Sequence, residues 1–317
     1  MQKIEFEIIV PPAQAGLRLD LALSQLLPDY SRSRITQWIR QKNVLVDEKI
    51  YSPKDKVYGG EKIKLSAELE VQTNWQGQEL PLNIVYEDDD IIIVNKPIGV
   101  VVHPAVGNTH STLVNALLHH HPDLANLPRG GIIHRLDKDT SGLLIVAKTL
   151  TAHTHLVSAM QAREITREYI AIVAGVMTGG GTVEAPMARH PKARTKMAVV
   201  ASGKPAVTHY RVLERYRAHT MIRCQLETGR THQIRVHLAH IHYPLVGDLT
   251  YGGRFKVPAN ITPELLETLK NFRHQALHAQ HLKLQHPCQD RELDFTVDLP
   301  DDMQHLISQL KEDARHV

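Results

Sequence analysis

The chemistry-bearing residues crowd into one short stretch, Gly131-Ile132-Ile133-His134-Arg135-Leu136-Asp137-Lys138-Asp139-Thr140-Ser141-Gly142. It sets carboxylates between cations and follows them with two hydroxyls. Neighbouring positive charge favours an ionised carboxylate, the form needed for a nucleophile or a base. Thr140 and Ser141 can brace such a loop through side-chain to backbone hydrogen bonds. Asp137 and Asp139 compete for the reactive role, and spacing alone does not choose between them. A plain surface turn could carry the same residues.

An apolar run leads into the loop, and a second, Leu143-Leu144-Ile145-Val146-Ala147, leads out. Two β-type runs around a polar loop make a hairpin-like support with a reactive edge. Around it, Ile91–Val94, Arg167–Val173, Ala206–Tyr210 and Met221–Leu226 read as strands. Helical spacing covers Thr151–Arg163, Thr231–His240, Pro263–Phe272 and Asp301–Lys311, and Ser111 or Thr112 can cap a helix through Leu118. Gly179-Gly180-Gly181 is a turn. Strands and helices mix without a βαβ repeat, which predicts an α+β domain with a mixed, largely antiparallel sheet over residues 89–317.

Residues 1–75 read as a separate small unit. Leu19, Leu23, Leu26 and Leu27 have helical spacing. After Pro28 and Asp29, Ser31 or Ser33 can cap a second helix with Ile35, Trp38 and Ile39 on one face. Val44-Leu45-Val46 is a short strand, and Ile50–Ile63 is expected to form a further strand pair bent at Tyr58-Gly59-Gly60. The expected order is helix, helix, sheet. Residues 76–88 are polar and aperiodic and serve as the linker.

The chain has 317 residues, 42% of them hydrophobic and 22% charged, with a net charge of +3. That suits a soluble globular protein and permits a nucleic-acid partner without demanding one. No apolar run is long enough to span a bilayer, and the acidic start is not a secretory signal. Cys224 and Cys288 form no CxxC pair, which fits a reducing cytoplasm. Gly203-Lys204 lacks the glycines of a phosphate-binding loop, so no nucleotide cofactor is expected. His119-His120-His121 and the set His232, His237, His240 invite a metal, yet no acid or cysteine completes either set, and none is expected. Those histidines read as polar surface and RNA contacts. Two stripes are basic: Arg32, Arg34, Arg40 and Lys42 on the second helix and its turn, and Arg189, Arg194 and Lys196 in a proline-broken loop. Both suit phosphate contact.

Arg18-Leu19-Asp20, Ser31-Arg32-Ser33-Arg34, Ile39 to Asp47 and Gly60-Glu61-Lys62-Ile63-Lys64-Leu65 together resemble an S4 (αL-type) RNA-binding domain. In the larger part, His134 to Gly142 resembles the signature of the RluA-type pseudouridine synthases. Arg163 to Tyr169, Gly203-Lys204-Pro205-Ala206, Glu227 to His237, Pro244 to Asp248 and Tyr251-Gly252-Gly253 continue the likeness.

The resemblance implies roles that the loop alone left open. The essential aspartate of that family follows Arg-Leu, so it falls on Asp137, and Asp139 falls on a variable position. The base-stacking tyrosine falls on Tyr169, the arginine paired with the aspartate on Arg235, and the arginine that fills the gap of a flipped base on Arg135. His134, Arg230 and Ile234 join them as expected substrate contacts. The implied reaction breaks the C1′–N1 bond of a uridine, turns the base and joins C5 to C1′, with no cofactor. The implied partner is large-subunit (23S) ribosomal RNA at the helix 69 stem-loop, within an assembling subunit, and the protein is expected to be a cytoplasmic monomer. Two other functions fit the same features: a non-catalytic RNA-binding assembly factor, and a nucleoside hydrolase that would release free uracil.

Overall fold

Apolar residues alternate with glutamates in Lys3–Ile9, and this period of two builds the first strand, β1. The computed structural model describes residues 3–27, 30, 32–68, 75–104, 110–193, 195–253 and 257–316. Among them the small domain holds β1, α1 (Leu19–Leu26), α2 (Arg32–Arg40), β2 (Val44–Val46), β3 (Lys49–Ile50) and β4 (Lys62–Glu68). The sheet order is β1-β4-β2-β3, antiparallel throughout. The core joins Leu19, Ala22 and Leu23 of α1 to Ile35, Trp38 and Ile39 of α2, and both to Val44, Val46, Ile63 and Leu65.

Two expectations need correction here. A strand precedes the helices, so the order is not helix, helix, sheet. The stretch after Ile50 forms a loop as far as β4 rather than a strand pair, in keeping with Pro53, which has no N–H for a ladder. Ser31 lies outside the described residues.

Among the described residues the larger domain is built on a nine-stranded sheet. In chain order its strands are β5 (Ile84–Glu87), β6 (Ile91–Lys96), β7 (Ser141–Ala147), β8 (Thr166–Ala174), β9 (Gly181–Glu184), β12 (Val207–Arg215), β13 (His219–Leu226), β14 (Leu277–Gln285) and β15 (Glu292–Thr296). Strands β10 (Met187–Arg189) and β11 (Met197–Val199) form a separate hairpin. The sheet order is β5-β6-β7-β14-β8-β13-β12-β9, with β15 on β14. Among the described residues only β7 and β14 run parallel. Residues 84–87, assigned from sequence to the linker, are the edge strand β5, paired with β6.

Alternation along β8 sends Tyr169, Ala171 and Val173 to one face and Ile170 and Ile172 to the other. The first face is covered by α3 (Leu113–His120) and α5 (Gln233–His240), the second by α4 (Leu150–Ala162), α6 (Pro263–Asn271) and α7 (Asp301–Arg315). Two of these helices start on a threonine cap: the Thr112 N–H and hydroxyl both donate to Asn115 Oδ1 at the head of α3, and Thr149 Oγ1 accepts from the Ala152 N–H at the head of α4. Leu150 packs against both the small-domain core and this core.

Beyond β7 lies the loop of Asp137. Ile132 bridges Val146, so the hairpin-like support exists, with a single bridge on its incoming side. Ser141 and Gly142 lie beside His278 and Ala279 of β14. A side chain at Gly142 would meet the Ala279 oxygen at 2.2 Å, with φ at +111°, so this position requires glycine. Among the described residues no helix is long and apolar enough to cross a membrane.

Candidate active site

Asp137 is held from behind before anything reaches it from the front. The Thr140 N–H donates to the Asp137 carbonyl at 3.1 Å and closes the turn. Lys96, fully buried, donates from Nζ to the carbonyls of Pro97, Val100 and Lys138 at 2.8, 2.9 and 3.0 Å. Burial pulls the Lys96 ammonium down to about 8 against the charges of Asp139 and Asp137. Gln275 Nε2 donates to Thr140 Oγ1 at 3.0 Å, and Ser141 Oγ meets His278 Nδ1 at 2.8 Å. The loop backbone is therefore fixed by side chains from β6 and from the segment ending in β14, and the Asp137 carboxylate projects from a braced turn.

Across the cleft, α5 presents Arg235. Its guanidinium is divided between two acids. Nε and Nη2 donate to Asp248 at 2.7 and 2.9 Å, and Nη1 donates to Asp137 Oδ2 at 3.0 Å. The Asp248 side chain is 1% exposed, and its Oδ1 also accepts from the N–H groups of Thr250 and Tyr251. Burial opposes both charges. The hydrogen bond and charge of Arg235, with the two backbone donors, nonetheless hold Asp248 below the usual carboxylate range. Asp248 and then Asp137 hold Arg235 above its usual value in the same way. A buried pair tolerates desolvation only when its remaining lone pairs are satisfied, and Asp248 meets that condition. Its bidentate grip also sets the guanidinium plane, which leaves one edge for Asp137.

Tyr251 completes the frame. Its ring lies against the Arg235 guanidinium, 5.0 Å to the centroid, and its hydroxyl accepts from the Met197 N–H at 2.9 Å. His232, the residue before α5, takes a left-handed conformation with φ at 57°, where sequence placed helix. Its Nδ1 lies 2.8 Å from the Tyr251 hydroxyl and its Nε2 3.8 Å from Asp137 Oδ1. Gln233, buried, binds the Thr228 hydroxyl, the Arg230 N–H, the Val207 carbonyl and Thr208 Oγ1, and so ties α5 to β12.

The structure gathers Asp137, Tyr169, Arg235, Arg135, Arg230 and Ile234 onto one cleft. Tyr169 enters from β8, and burial raises its phenol pKa. Arg135 is exposed at the rim, and Arg230 Nε donates to the Pro205 carbonyl at 3.2 Å. His134 does not line this cleft. It is buried, its Nε2 accepts from the Ile145 N–H at 3.2 Å, and burial drops its pKa to about 3. It braces the loop from inside.

The basic stripes divide as well. Arg34 is 7% exposed, so it does not belong to an outer phosphate-facing row. Arg32 binds Asp20, which also takes Arg18, and the pair ties α1 to α2. Arg40 and Lys42 are exposed. Arg189 is exposed at the end of β10, Lys196 donates to the Thr250 carbonyl at 2.9 Å, and Arg194 lies outside the described residues. The basic loop is the tip of the β10–β11 hairpin, and it is tied to the turn carrying Asp248 and Tyr251. His237, read as polar surface, is buried between Thr208 and the Ala185 carbonyl. Asp248, Tyr251 and Gln233 were given no role from sequence, and His232 was read only as polar surface or RNA contact. All four lay within motifs that carried the resemblance, and that position was the only available signal.

Comparison with known proteins gives the same outline. A family profile described as RNA pseudouridylate synthase matches residues 90–240, and one described as S4 domain matches residues 17–63. Ribosomal large subunit pseudouridine synthase D of Yersinia pestis is 53% identical over 99% of this chain and 97% of its own length. The protein of that name from Escherichia coli (strain K12) is 53% identical over 98% and 96%. The solved structure of human RNA pseudouridylate synthase domain containing 4 superposes with a TM-score of 0.55 at 26% identity, covering 72% of this chain and 93% of the human one.

Proposed function

The chain belongs to the RNA pseudouridylate synthase family, with an S4 domain in front, and from that premise we propose that it isomerises uridines of large-subunit (23S) ribosomal RNA. The target in this reading is the helix 69 stem-loop, met by a cytoplasmic monomer on an assembling subunit. The observation that carries the reading is the convergence of Asp137, Arg235 and Tyr169 on one cleft.

Each residue then has a task. Asp137 works on the ribose; direct attack at C1′ and removal of a sugar proton both place its carboxylate against the sugar. Arg235, fixed by Asp248, aims that carboxylate. Glycoside hydrolysis in water usually employs a second acid for the leaving group. Here the departing base is retained and re-used, so one carboxylate in a water-poor cleft suffices. The uridine must leave its stack at a cost of roughly a few kcal/mol, least in a loop. Stacking on Tyr169 offsets about 1–3 kcal/mol of that. Arg135, exposed at the rim, is assigned to fill the gap in the RNA. Arg40, Lys42 and Arg189 supply exposed charge for phosphates.

The test is pseudouridine mapping of large-subunit RNA from cells carrying the parent protein or Asp137→Asn. The expected result is loss of specific sites, and in vitro a rate lower by on the order of 10³-fold or more with RNA affinity unchanged. Full modification by Asp137→Asn would sink the assignment. Free uracil in place of pseudouridine would make the protein a hydrolase.

A further inference from the structure

Isomerisation of a uridine moves a hydrogen as well as a base. The C1′–N1 and C5–H bonds break, and the C1′–C5 and N1–H bonds form. Once C5 is joined to C1′ it is tetrahedral and still carries its hydrogen, so some group must take that proton before the ring regains its conjugation. Asp137 is committed to the ribose.

The other polar groups of the cleft can be taken in turn. Arg135, Arg230 and Arg235 are cations and accept nothing. Gln233 has its amide bound by four partners, and Thr140 already accepts from Gln275. Tyr169 is a phenol whose proton burial holds more tightly than usual. His232 remains. Its Nε2 is 3.8 Å from Asp137 Oδ1, too long for a hydrogen bond, and both residues line the same cleft. Its Nδ1 meets the Tyr251 hydroxyl, whose oxygen has a second lone pair free for an Nδ1–H beside the Met197 N–H it already accepts. With the proton on Nδ1, Nε2 is left as an acceptor facing the cleft. Burial, with the charges of Arg235 and Arg135, lowers the His232 pKa against Asp137 and Asp248, so the ring is neutral at pH 7. The left-handed backbone at His232 sets the ring off the start of α5.

We propose that His232 is the general base that removes the C5 proton from the C1′–C5-linked intermediate, with Tyr251 fixing its ring and tautomer. The proton passes to Nε2, the ring electrons return to the base, and the imidazolium, flanked by the Asp137 carboxylate, returns a proton to N1 directly or through water. This inference rests on Asp137 acting at the ribose.

Replacing the C5 hydrogen by fluorine separates the two steps. Bond migration to C5 can still occur, and no proton is there to remove. Full-length protein is compared on a ribosomal RNA stem-loop carrying uridine or 5-fluorouridine, and the C5-linked product is measured in single turnover. The His232→Asn variant keeps a residue that accepts the left-handed conformation. It is expected to slow the uridine reaction by about 100-fold or more and the 5-fluorouridine rearrangement by less than about threefold. If asparagine disturbs the helix start, His232→Gly carries the same comparison, since glycine takes that backbone freely. Equal losses on both RNAs, or uridine turnover at the parent rate, would overturn the proposal. So would a selective loss in Tyr169→Phe with His232→Asn unaffected, which would assign the step to the phenol. Asp137→Asn is expected to lose both reactions; if it retains them, the underlying reading fails rather than this one.

Discussion

In the small domain the buried residues are apolar apart from Gln14, Asp20 and Arg34 among those described, whereas the larger domain buries Lys96, His134, Arg235, His237, Asp248 and His278 besides others. Histidine follows the same division: all 21 lie at or beyond His103. The small domain is held by aliphatic and aromatic packing, such as Tyr30 edge-on to Trp38 at 5.0 Å, and leaves Arg40 and Lys42 facing solvent. The synthase domain spends part of its core on charge, most tightly where Arg235 binds Asp248 and Asp137. The contrast teaches that, in the proposed reading, the groups assigned to the reaction are held by the fold itself, while the cations assigned to phosphate contact are left to solvent.

The strongest way to break that contrast is Asp248→Asn. It leaves Arg235 buried with a weakened partner, and truncating one side of a buried pair costs about 3–5 kcal/mol. The urea midpoint should fall and turnover drop, while the circular dichroism of the folded protein stays the same. A midpoint unchanged from the parent would mean that Asp248 does not support the site.

Acid separates the domains next. His134, His219 and His278 are buried, with pKa values lowered by burial to about 3, 4 and 4. Above roughly pH 6.5 both folded and unfolded chains hold these rings neutral. Below it the unfolded chain binds protons that the folded one refuses, so stability falls by up to about 1.4 kcal/mol per pH unit for each ring. Urea melts at pH 7.5 and 5.5 can be followed by Trp38 fluorescence in Trp75→Phe for the small domain, and by far-UV circular dichroism for the whole. The acid loss should spare the Trp38 signal; equal shifts would erase the distinction.

A smaller effect is expected at the exposed cations. Replacing Arg40 and Lys42 together by glutamine should weaken RNA binding about tenfold and lower the salt slope by about 2, with turnover at saturating RNA unchanged. An unaltered slope would remove α2 from the interface. The smallest effect belongs to Asp139→Asn, expected within about 0.5 kcal/mol of parent stability and near-parent activity. A loss matching that of Asp137→Asn would show that the acids were misassigned.

Legibility follows how local the cause is. Helices α4, α6 and α7 were visible because apolar spacing near 3.6 is a property of neighbours in the chain. Strand β7 was visible as a continuous apolar run, since both its faces are covered. Strand β5 was missed because Ile84–Glu87 is a half-buried edge whose polar residues resemble linker. Arg34 and His134 were read as outward because charge and polarity say nothing of direction once a helix or loop docks.

Residue types and their short-range order determined, without any coordinates, that a carboxylate sits between cations in a loop between apolar runs, that a basic helical unit precedes it, and that this pattern resembles a synthase of RNA. Tertiary structure decided which groups meet. Asp137 and Arg235 are 98 residues apart, and Asp248 sets the plane of that arginine through contacts no periodicity encodes. A buried ion pair forms where folding removes water and supplies the remaining donors, and only the docking of α5 against the sheet does both.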